Sequence, residues 1–146
     1  MNTIRMTEAH LGGAAELELL CFTEPWSENA LRLLLSEDAV GFICEADGTV
    51  AAYGGMLIAV DEGQVTNVAV HPAHRRQGLG RRIVEAFVEE ARRRGLVQIS
   101  LEVRASNIAA IRLYEEMGFR TAGVRKRFYR NPAEDALVML LDLNDR

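Results

Sequence analysis

The chain has 146 residues, of which 49% are hydrophobic and 26% are charged, and its formal net charge is −4. This length suits one globular domain over residues 1–146 with a core of its own. No apolar run is long enough to span a bilayer, and the acidic balance argues against broad nucleic-acid binding. We therefore expect neither a membrane nor a nucleic acid among the partners of this protein.

The N-terminal residues and the two cysteines indicate a cytoplasmic protein. Residues 1–5 are not followed by the apolar segment of a signal peptide. Cys21 and Cys44 have neither metal-binding nor redox spacing. We expect both to be reduced packing residues.

The first part of the chain predicts a strand, two helices and a β-hairpin. Ser27 is a good N-cap for the second helix, and Asp47-Gly48 is a strong hairpin signal. The predicted elements are a strand at 2–6, a helix at 9–22 with apolar Leu11, Ala14, Ala15, Leu19 and Leu20, a helix after Ser27 with apolar Ala30, Leu31, Leu34 and Leu35, and strands at 40–46 and 49–60.

A strand, a glycine-containing turn and a helix are predicted next, within residues 65–94. β-Branched and small residues predict the strand at 65–70, and Pro72 ends it because proline has no N–H for a sheet ladder. Apolar residues with helical spacing then lead to Gly95, which lies in the usual C′ position. These apolar residues are Leu79, Ile83, Val84, Phe87, Val88 and Ala91.

The turn of this unit predicts an anion site, most often one for a phosphate. Gly78 and Gly80 allow the backbone to approach a ligand, and the free N–H groups of the helix start point at it. The turn has neither the Gly-x-Gly-x-x-Gly pattern of dinucleotide sites nor the Gly-Lys-Ser/Thr of a Walker loop. The alternative is an ordinary glycine turn.

The last part of the chain completes a mixed α/β pattern. It predicts a strand at 97–104, a helix capped by Asn107 and running to Met117, and strands at 119–127 and 136–143 around Arg130-Asn131-Pro132. We therefore predict a central mixed sheet flanked by helices, with one parallel, right-handed β-α-β crossover.

A polar row on the strand at 97–104 is the first sign of a site. Ile99, Leu101 and Val103 face one way, and Ser100, Glu102 and Arg104 face the other. One explanation is an exposed face of a mixed sheet. The other is that Glu102 faces a cleft where this strand diverges from the strand at 65–70. A partly desolvated carboxylate in such a cleft suits a general base.

Asn107 and Tyr114 share one face of the next helix, since they are seven residues apart. An N-cap role for Asn107 and a core role for Tyr114 are sufficient structural explanations. His71 and His74 have no third ligand nearby, so we interpret them as loop histidines and predict no metal.

Two segments resemble a known family. Arg75-x-x-Gly78-x-Gly80 after a strand resembles the acyl-CoA loop of the GNAT acetyltransferases. The run from Leu101-Glu102-Val103-Arg104 through Asn107 to Leu113-Tyr114-Glu115-x-Met117-Gly118-Phe119 is similar to the RimI family. RimI enzymes are bacterial GNAT proteins that acetylate the N-terminal alanine of a small-subunit ribosomal protein. The likeness extends from Pro25-Trp26-Ser27 to Glu134-Asp135-Ala136.

The resemblance implies acetyl-CoA as co-substrate, a protein N-terminus as partner, and a role for each matching residue. Glu102 takes the general-base position and Tyr114 the general-acid position. Trp26 and Tyr129 would flank the peptide, and Asn107 would contact the cofactor near its thioester. The remaining cofactor contacts would come from the backbone of Val68, Ala69 and Val70 to the pantetheine arm, and from Arg76, Gln77, Gly78, Leu79, Gly80 and Arg81 to the pyrophosphate.

These roles agree with the chemistry of acetyl transfer. An α-amino group has a pKa of about 7.7–8.0 and is partly neutral at pH 7, whereas a lysine amine at about 10.4 needs more help. One carboxylate can take the remaining proton, and a tyrosine hydroxyl can protonate the leaving thiolate. Since no covalent enzyme intermediate is needed, neither cysteine has to act as a nucleophile.

Two departures from the family pattern lie where the peptide would enter. Glu24 stands where the family usually has phenylalanine, and the turn at 130–133 is shorter than usual. Two alternatives stay open: a GNAT enzyme for a small amine such as a polyamine or an aminoglycoside, and a non-catalytic acyl-CoA-binding module that regulates a partner. The presence of both Glu102 and Tyr114 disfavours the second alternative.

Overall fold

A computed structural model describes residues 2–144 of the chain. Its strands are β1 (Thr3–Arg5), β2 (Ala39–Ala46), β3 (Thr49–Ala59), β4 (Glu62–Val70), β5 (Gln98–Arg104), β6 (Arg120–Tyr129) and β7 (Glu134–Asp142). They form one seven-stranded sheet in the order β1-β2-β3-β4-β5-β7-β6. The α-helices are α1 (Leu11–Cys21), α2 (Glu28–Leu31), α3 (Leu79–Arg93) and α4 (Ile108–Glu116).

The sheet separates two apolar cores, because side chains alternate between the faces of each strand. Helices α1 and α2 cover one face, where Leu17 and Leu31 pack with Ala69 of β4. Helices α3 and α4 cover the other face, where Phe87 packs in the same core as Leu101 of β5. We refer to these faces as the α1/α2 side and the α3/α4 side.

The parallel pair in the middle of the sheet is short. Glu62, Gly63 and Gln64 of β4 pair with Gln98, Ile99 and Ser100 of β5, and the pairing ends there. β4 then continues along β3, with an extra residue at Thr66 where the register shifts, whereas β5 continues along β7. The carboxyl-terminal halves of β4 and β5 therefore diverge and leave a V-shaped gap, the β4/β5 cleft.

The predicted mixed α/β fold and its parallel crossover are confirmed, with differences in detail. The second helix is a single α-helical turn that continues as a 3-10 segment, Arg32–Leu35. Ser27 is its N-cap, as predicted, and accepts a hydrogen bond from the N–H of Ala30 at 3.0 Å. β4 begins at Glu62, earlier than predicted, so its parallel pairing lies upstream of the predicted strand.

The apolar stripe predicted for α1 is wrong in its second half. Leu19 and Leu20 are 71% and 56% exposed, whereas Leu17 and Glu18 are buried. Apolar residues lie on more than one face of this helix, so their spacing alone does not identify the buried face. A carboxylate also gives no sequence signal of burial when its partners lie far away in the chain.

The structure adds three observations on the cysteines, on membranes and on metals. Cys21 and Cys44 are free thiols, half-buried and buried respectively. Over residues 2–144, no helix has the length and apolar character needed to cross a membrane. The same residues contain no group of three or more His, Cys, Asp and Glu side chains placed to hold a metal ion.

Candidate active site

The β4/β5 cleft exposes one edge of β4. Val68, Ala69 and Val70 pair with β3 on their other edge, and in the described chain the ladder to β5 stops before them, at Gln64. Unpaired backbone groups at a strand edge can hydrogen-bond an extended ligand. The carbonyl of Val70 also accepts a hydrogen bond from Nε of Arg75 at 3.3 Å.

The loop that follows β4 has the backbone geometry of an anion site. Arg76 and Gly78 both have positive φ, at 65° and 77°. Gly78 is the N-cap of α3, so the first N–H groups of that helix lack helical acceptors. A Cβ on Gly78 would meet nothing within 4 Å, so the backbone conformation rather than packing requires glycine there.

At Gly80, neighbouring side chains rather than the backbone conformation limit the size of a replacement. It is a helical residue of α3, and a Cβ on it would lie 3.5 Å from Cδ2 of Leu113 and 3.9 Å from Cγ2 of Val70. A methyl group would therefore fit, whereas a large side chain would have to extend past these two residues. Nearby, Arg81 forms an ion pair with Glu116 of α4.

Glu102 lies on the α1/α2 side of β5, opposite in direction to Leu101 and Val103. Its side chain is 14% exposed, and Nε of Arg125 lies 3.1 Å from its Oε2. The Arg125 side chain is 57% exposed, so this ion pair is open to solvent on the arginine side. This contact, which the sequence analysis missed, joins strands that are not neighbours in the sheet.

Tyr114 lies on the α3/α4 side, where it is 8% exposed and its ring centroid is 5.7 Å from that of Phe119. Burial raises the pKa of Tyr114 to about 12, with a smaller contribution from Tyr129. The phenol therefore stays protonated well above neutral pH and can donate a hydrogen bond or a proton. Asn107 caps α4 by accepting from the N–H of Ala110 at 3.2 Å, which confirms the structural role that the sequence left open.

Tyr129 ends β6 and is held by Arg104. The guanidinium carbon of Arg104 lies 4.4 Å from the centroid of the Tyr129 ring. Arg104 also donates to the carbonyl oxygens of Arg130 at 3.1 Å and Pro132 at 3.0 Å, which fixes the turn between β6 and β7. Burial and then the charge of Glu102 raise the pKa of Tyr129 to about 12. Arg104 thus holds Tyr129 and the turn together, a role that the sequence pattern did not indicate.

The loop between α1 and α2, residues 22–27, carries the predicted Trp26. This side chain is half-buried against the core of the α1/α2 side. Its backbone N–H donates to Oε1 of Glu18 at 2.8 Å. Glu24 of the same loop is exposed.

His71 and His74 lie in the loop after β4. Nδ1 of His71 accepts the N–H of Ala73 at 3.0 Å, and the two imidazole centroids are 5.8 Å apart. The His71 side chain therefore stabilises the local turn, in agreement with the loop interpretation.

The predicted Glu102 and Tyr114 lie on opposite faces of the sheet, on β5 and on the helix that follows it, next to the point where the pairing of β4 and β5 stops. Glu102, with Tyr129 and Arg104, lies on the α1/α2 side, and Tyr114 lies on the α3/α4 side. The exposed edge of β4 and the start of α3 border the same gap. Such an arrangement can accept a proton on one side of a reacting centre and supply a proton on the other.

Comparison with known proteins identifies the family. The model of the acetyltransferase (GNAT) family matches residues 12–119. The chain belongs to the GNAT family. It is 38% identical over 147 residues to the [ribosomal protein bS18]-alanine N-acetyltransferase of Escherichia coli strain K12, with 99% of each protein covered.

Two further relatives place this GNAT chain in the RimI family, as the resemblance predicted. The N-alpha-acetyltransferase RimI of Mycobacterium tuberculosis is 33% identical, and the alignment covers 96% of this chain and 91% of that protein. The crystal structure of the ribosomal-protein-S18-alanine N-acetyltransferase from Escherichia coli matches with a TM-score of 0.89 and 35% identity, over 97% of this chain and 93% of that one.

Proposed function

We propose that this protein is a cytoplasmic, acetyl-CoA-dependent N-terminal acetyltransferase whose substrate is the N-terminal alanine of the small-subunit ribosomal protein bS18. The observation that carries the proposal is that Glu102 and Tyr114 lie on opposite faces of the sheet, next to the point where β4 and β5 diverge. The full-length similarity to bS18-alanine N-acetyltransferases supports the same reaction.

The residues that border the cleft fit acetyl-CoA. Its pantetheine arm is an extended amide chain, which the free edge of Val68, Ala69 and Val70 would bind by backbone hydrogen bonds. Its pyrophosphate would lie on the loop at 76–81, where the start of α3 supplies N–H groups and positive dipole charge. Asn107, at the start of α4, would lie near the thioester.

Glu102 and Tyr114 would then divide the proton transfers between them. The substrate amine nitrogen attacks the thioester carbonyl carbon while the carbon–sulfur bond breaks. Glu102 accepts the proton that the amine loses, directly or through one water, and the Tyr114 hydroxyl supplies a proton to the departing sulfur. The side chain of Glu102 is 14% exposed, and burial keeps the phenol of Tyr114 protonated well above neutral pH.

An α-amine is the amine best suited to this site. Its pKa is lower than that of a lysine by about 2.5 units, so at neutral pH a few hundred times more of it is neutral. Glu102 is already paired with Arg125. This carboxylate therefore suits the removal of one residual proton rather than the binding of a strongly basic ammonium group. Trp26 and Tyr129 would flank the first residues of an extended peptide.

The experiment compares kcat/KM for three acceptors: an Ala-initiated peptide, the same peptide with a blocked α-amine and a free lysine, and spermidine. We expect the Ala-initiated peptide to be the best acceptor by at least about 10²-fold. If spermidine is better, the small-amine alternative replaces the proposal. If acetyl-CoA binds and no acceptor turns over, the protein is a regulatory acyl-CoA-binding module.

A further inference from the structure

Glu18 is a wholly buried carboxylate that the proposed reaction does not use. It lies in α1 with 0% exposure. Its Oε1 accepts the backbone N–H of Trp26 at 2.8 Å. Its Oε2 accepts hydrogen bonds from Nδ2 of Asn67 at 2.8 Å and from the hydroxyl of Tyr53. One side chain thus joins four segments: α1, the loop at 22–27, β3 and β4.

Stability alone does not account for a carboxylate at this position. Burial raises the pKa of Glu18, against the three hydrogen bonds that favour its charged form. A raised pKa means that keeping the charge buried costs folding free energy, and an apolar side chain of similar size often does as well or better in a core. The arrangement of three donors around the Glu18 carboxylate therefore needs an explanation other than stability.

The position of Trp26 depends on Glu18 more than the position of Asn67 does. Asn67 belongs to β4, whose position is already set by its ladder to β3, including the pair Gly55–Asn67. Trp26 belongs to a loop outside any ladder, and its N–H bond to Glu18 ties that loop to α1. Loss of the Glu18 carboxylate should therefore displace the loop at 22–27 more than it displaces β4.

We propose that Glu18 is a positioning residue for the peptide substrate: it fixes Trp26 and its loop relative to β4 and so shapes the peptide side of the cleft. The inference rests on the proposed function, in which Trp26 flanks the peptide. Glu18 itself touches neither substrate nor cofactor, and acts through the backbone of Trp26.

Glu18→Met is the sharpest test, because it keeps the length of the side chain and removes both acceptor oxygens. The N–H of Trp26 then loses its carboxylate acceptor, a change that costs about tenfold in an equilibrium constant. We expect KM for the Ala-initiated peptide to rise about tenfold, while KM for acetyl-CoA and kcat at saturating peptide change less than about twofold.

Two matched controls separate positioning from general loosening of the core. Tyr53→Phe removes another donor of the same network and leaves the Trp26 bond, and Glu16→Gln changes an exposed carboxylate of the same helix. Both should keep KM for the peptide within about twofold of wild type. If Glu18→Met fails to fold, Glu18→Asp, which keeps the charge but is one methylene shorter, should give the same split between the two KM values.

The outcomes distinguish this inference from the proposed function. A wild-type enzyme that acetylates the peptide, with KM for that peptide unchanged in the Glu18 variant or raised equally in Tyr53→Phe, overturns the positioning role alone. A wild-type enzyme that acetylates spermidine and no peptide overturns the proposed function, and the positioning role with it.

Discussion

The replacement Tyr114→Phe removes one oxygen atom from the α3/α4 side of the cleft and leaves the ring in place. The phenyl ring can keep its packing against Phe119, so the fold should persist. Loss of a general acid typically costs 10²- to 10⁴-fold in rate, a range of roughly 2.7–5.5 kcal/mol in activation free energy.

The raised pKa of Tyr114 determines how large the loss of kcat in Tyr114→Phe should be. A phenol with a pKa of about 12 is a weaker acid than an alkyl thiol. Since a thiol has a pKa of about 8.5, full proton transfer to a free thiolate is uphill by about 3.5 units. Because this proton transfer is uphill, the loss of Tyr114 should fall at the lower end of the range, at about 10²-fold in kcat, or about 2.7 kcal/mol.

The assay is steady-state release of CoA thiol with the Ala-initiated peptide at saturating acetyl-CoA. The Kd for acetyl-CoA should change little, because its proposed contacts are made by β4 and α3. Tyr53→Phe loses a buried phenol elsewhere and should keep kcat within about twofold. A folded Tyr114→Phe enzyme with kcat within threefold of wild type would refute the assignment of the general acid.

Three further predictions test the other parts of the site. Glu102→Gln should lower kcat by at least about 10²-fold while acetyl-CoA still binds, as measured by turnover and calorimetry, and normal turnover would place the base elsewhere. Gly80→Trp should weaken acetyl-CoA binding in calorimetry because its side chain must pass Val70 and Leu113, whereas Gly123→Ala, at a position with nothing within 4 Å of the new Cβ, should not. The pKa of Tyr114 is raised from 10.0 to about 12, so its contribution to stability is complete below pH 10 and lost as the pH rises toward 12. Between pH 9 and 11.5 this loss amounts to about 2 kcal/mol in the free energy of unfolding. Urea titrations should find wild type losing that much more than Tyr114→Phe, in which Tyr53 and Tyr129 still contribute because their pKa values are also raised.

Sequence patterns predicted the parts of the site that depend on local periodicity. The alternation around Glu102 placed that carboxylate on the polar face of a strand that diverges from its parallel neighbour. The glycine turn and the apolar stripe after it predicted α3 and its N-terminal loop. Both signals lie within one element and its neighbours in the chain, where spacing alone fixes which side chains share a face.

The contacts that support the site could not be predicted in this way. Glu18 and Asn67 are 49 residues apart in the chain, and Arg104 reaches carbonyls that are 26 and 28 residues away. Arg125 meets Glu102 across an intervening strand. Each of these contacts depends on the order and register of strands, which local spacing does not contain. The same limit explains the error in α1, where the buried residue beside Leu17 is a carboxylate.

The most direct test of the central claim is the position of the acetyl group on a peptide that offers both amines. One peptide with an N-terminal alanine and an internal lysine is incubated with the enzyme and acetyl-CoA, and the product is fragmented by tandem mass spectrometry. We predict acetylation of the alanine α-nitrogen in excess of the lysine Nζ by at least about 10²-fold. Acetyl groups found mainly on the lysine, or on neither amine, would contradict it.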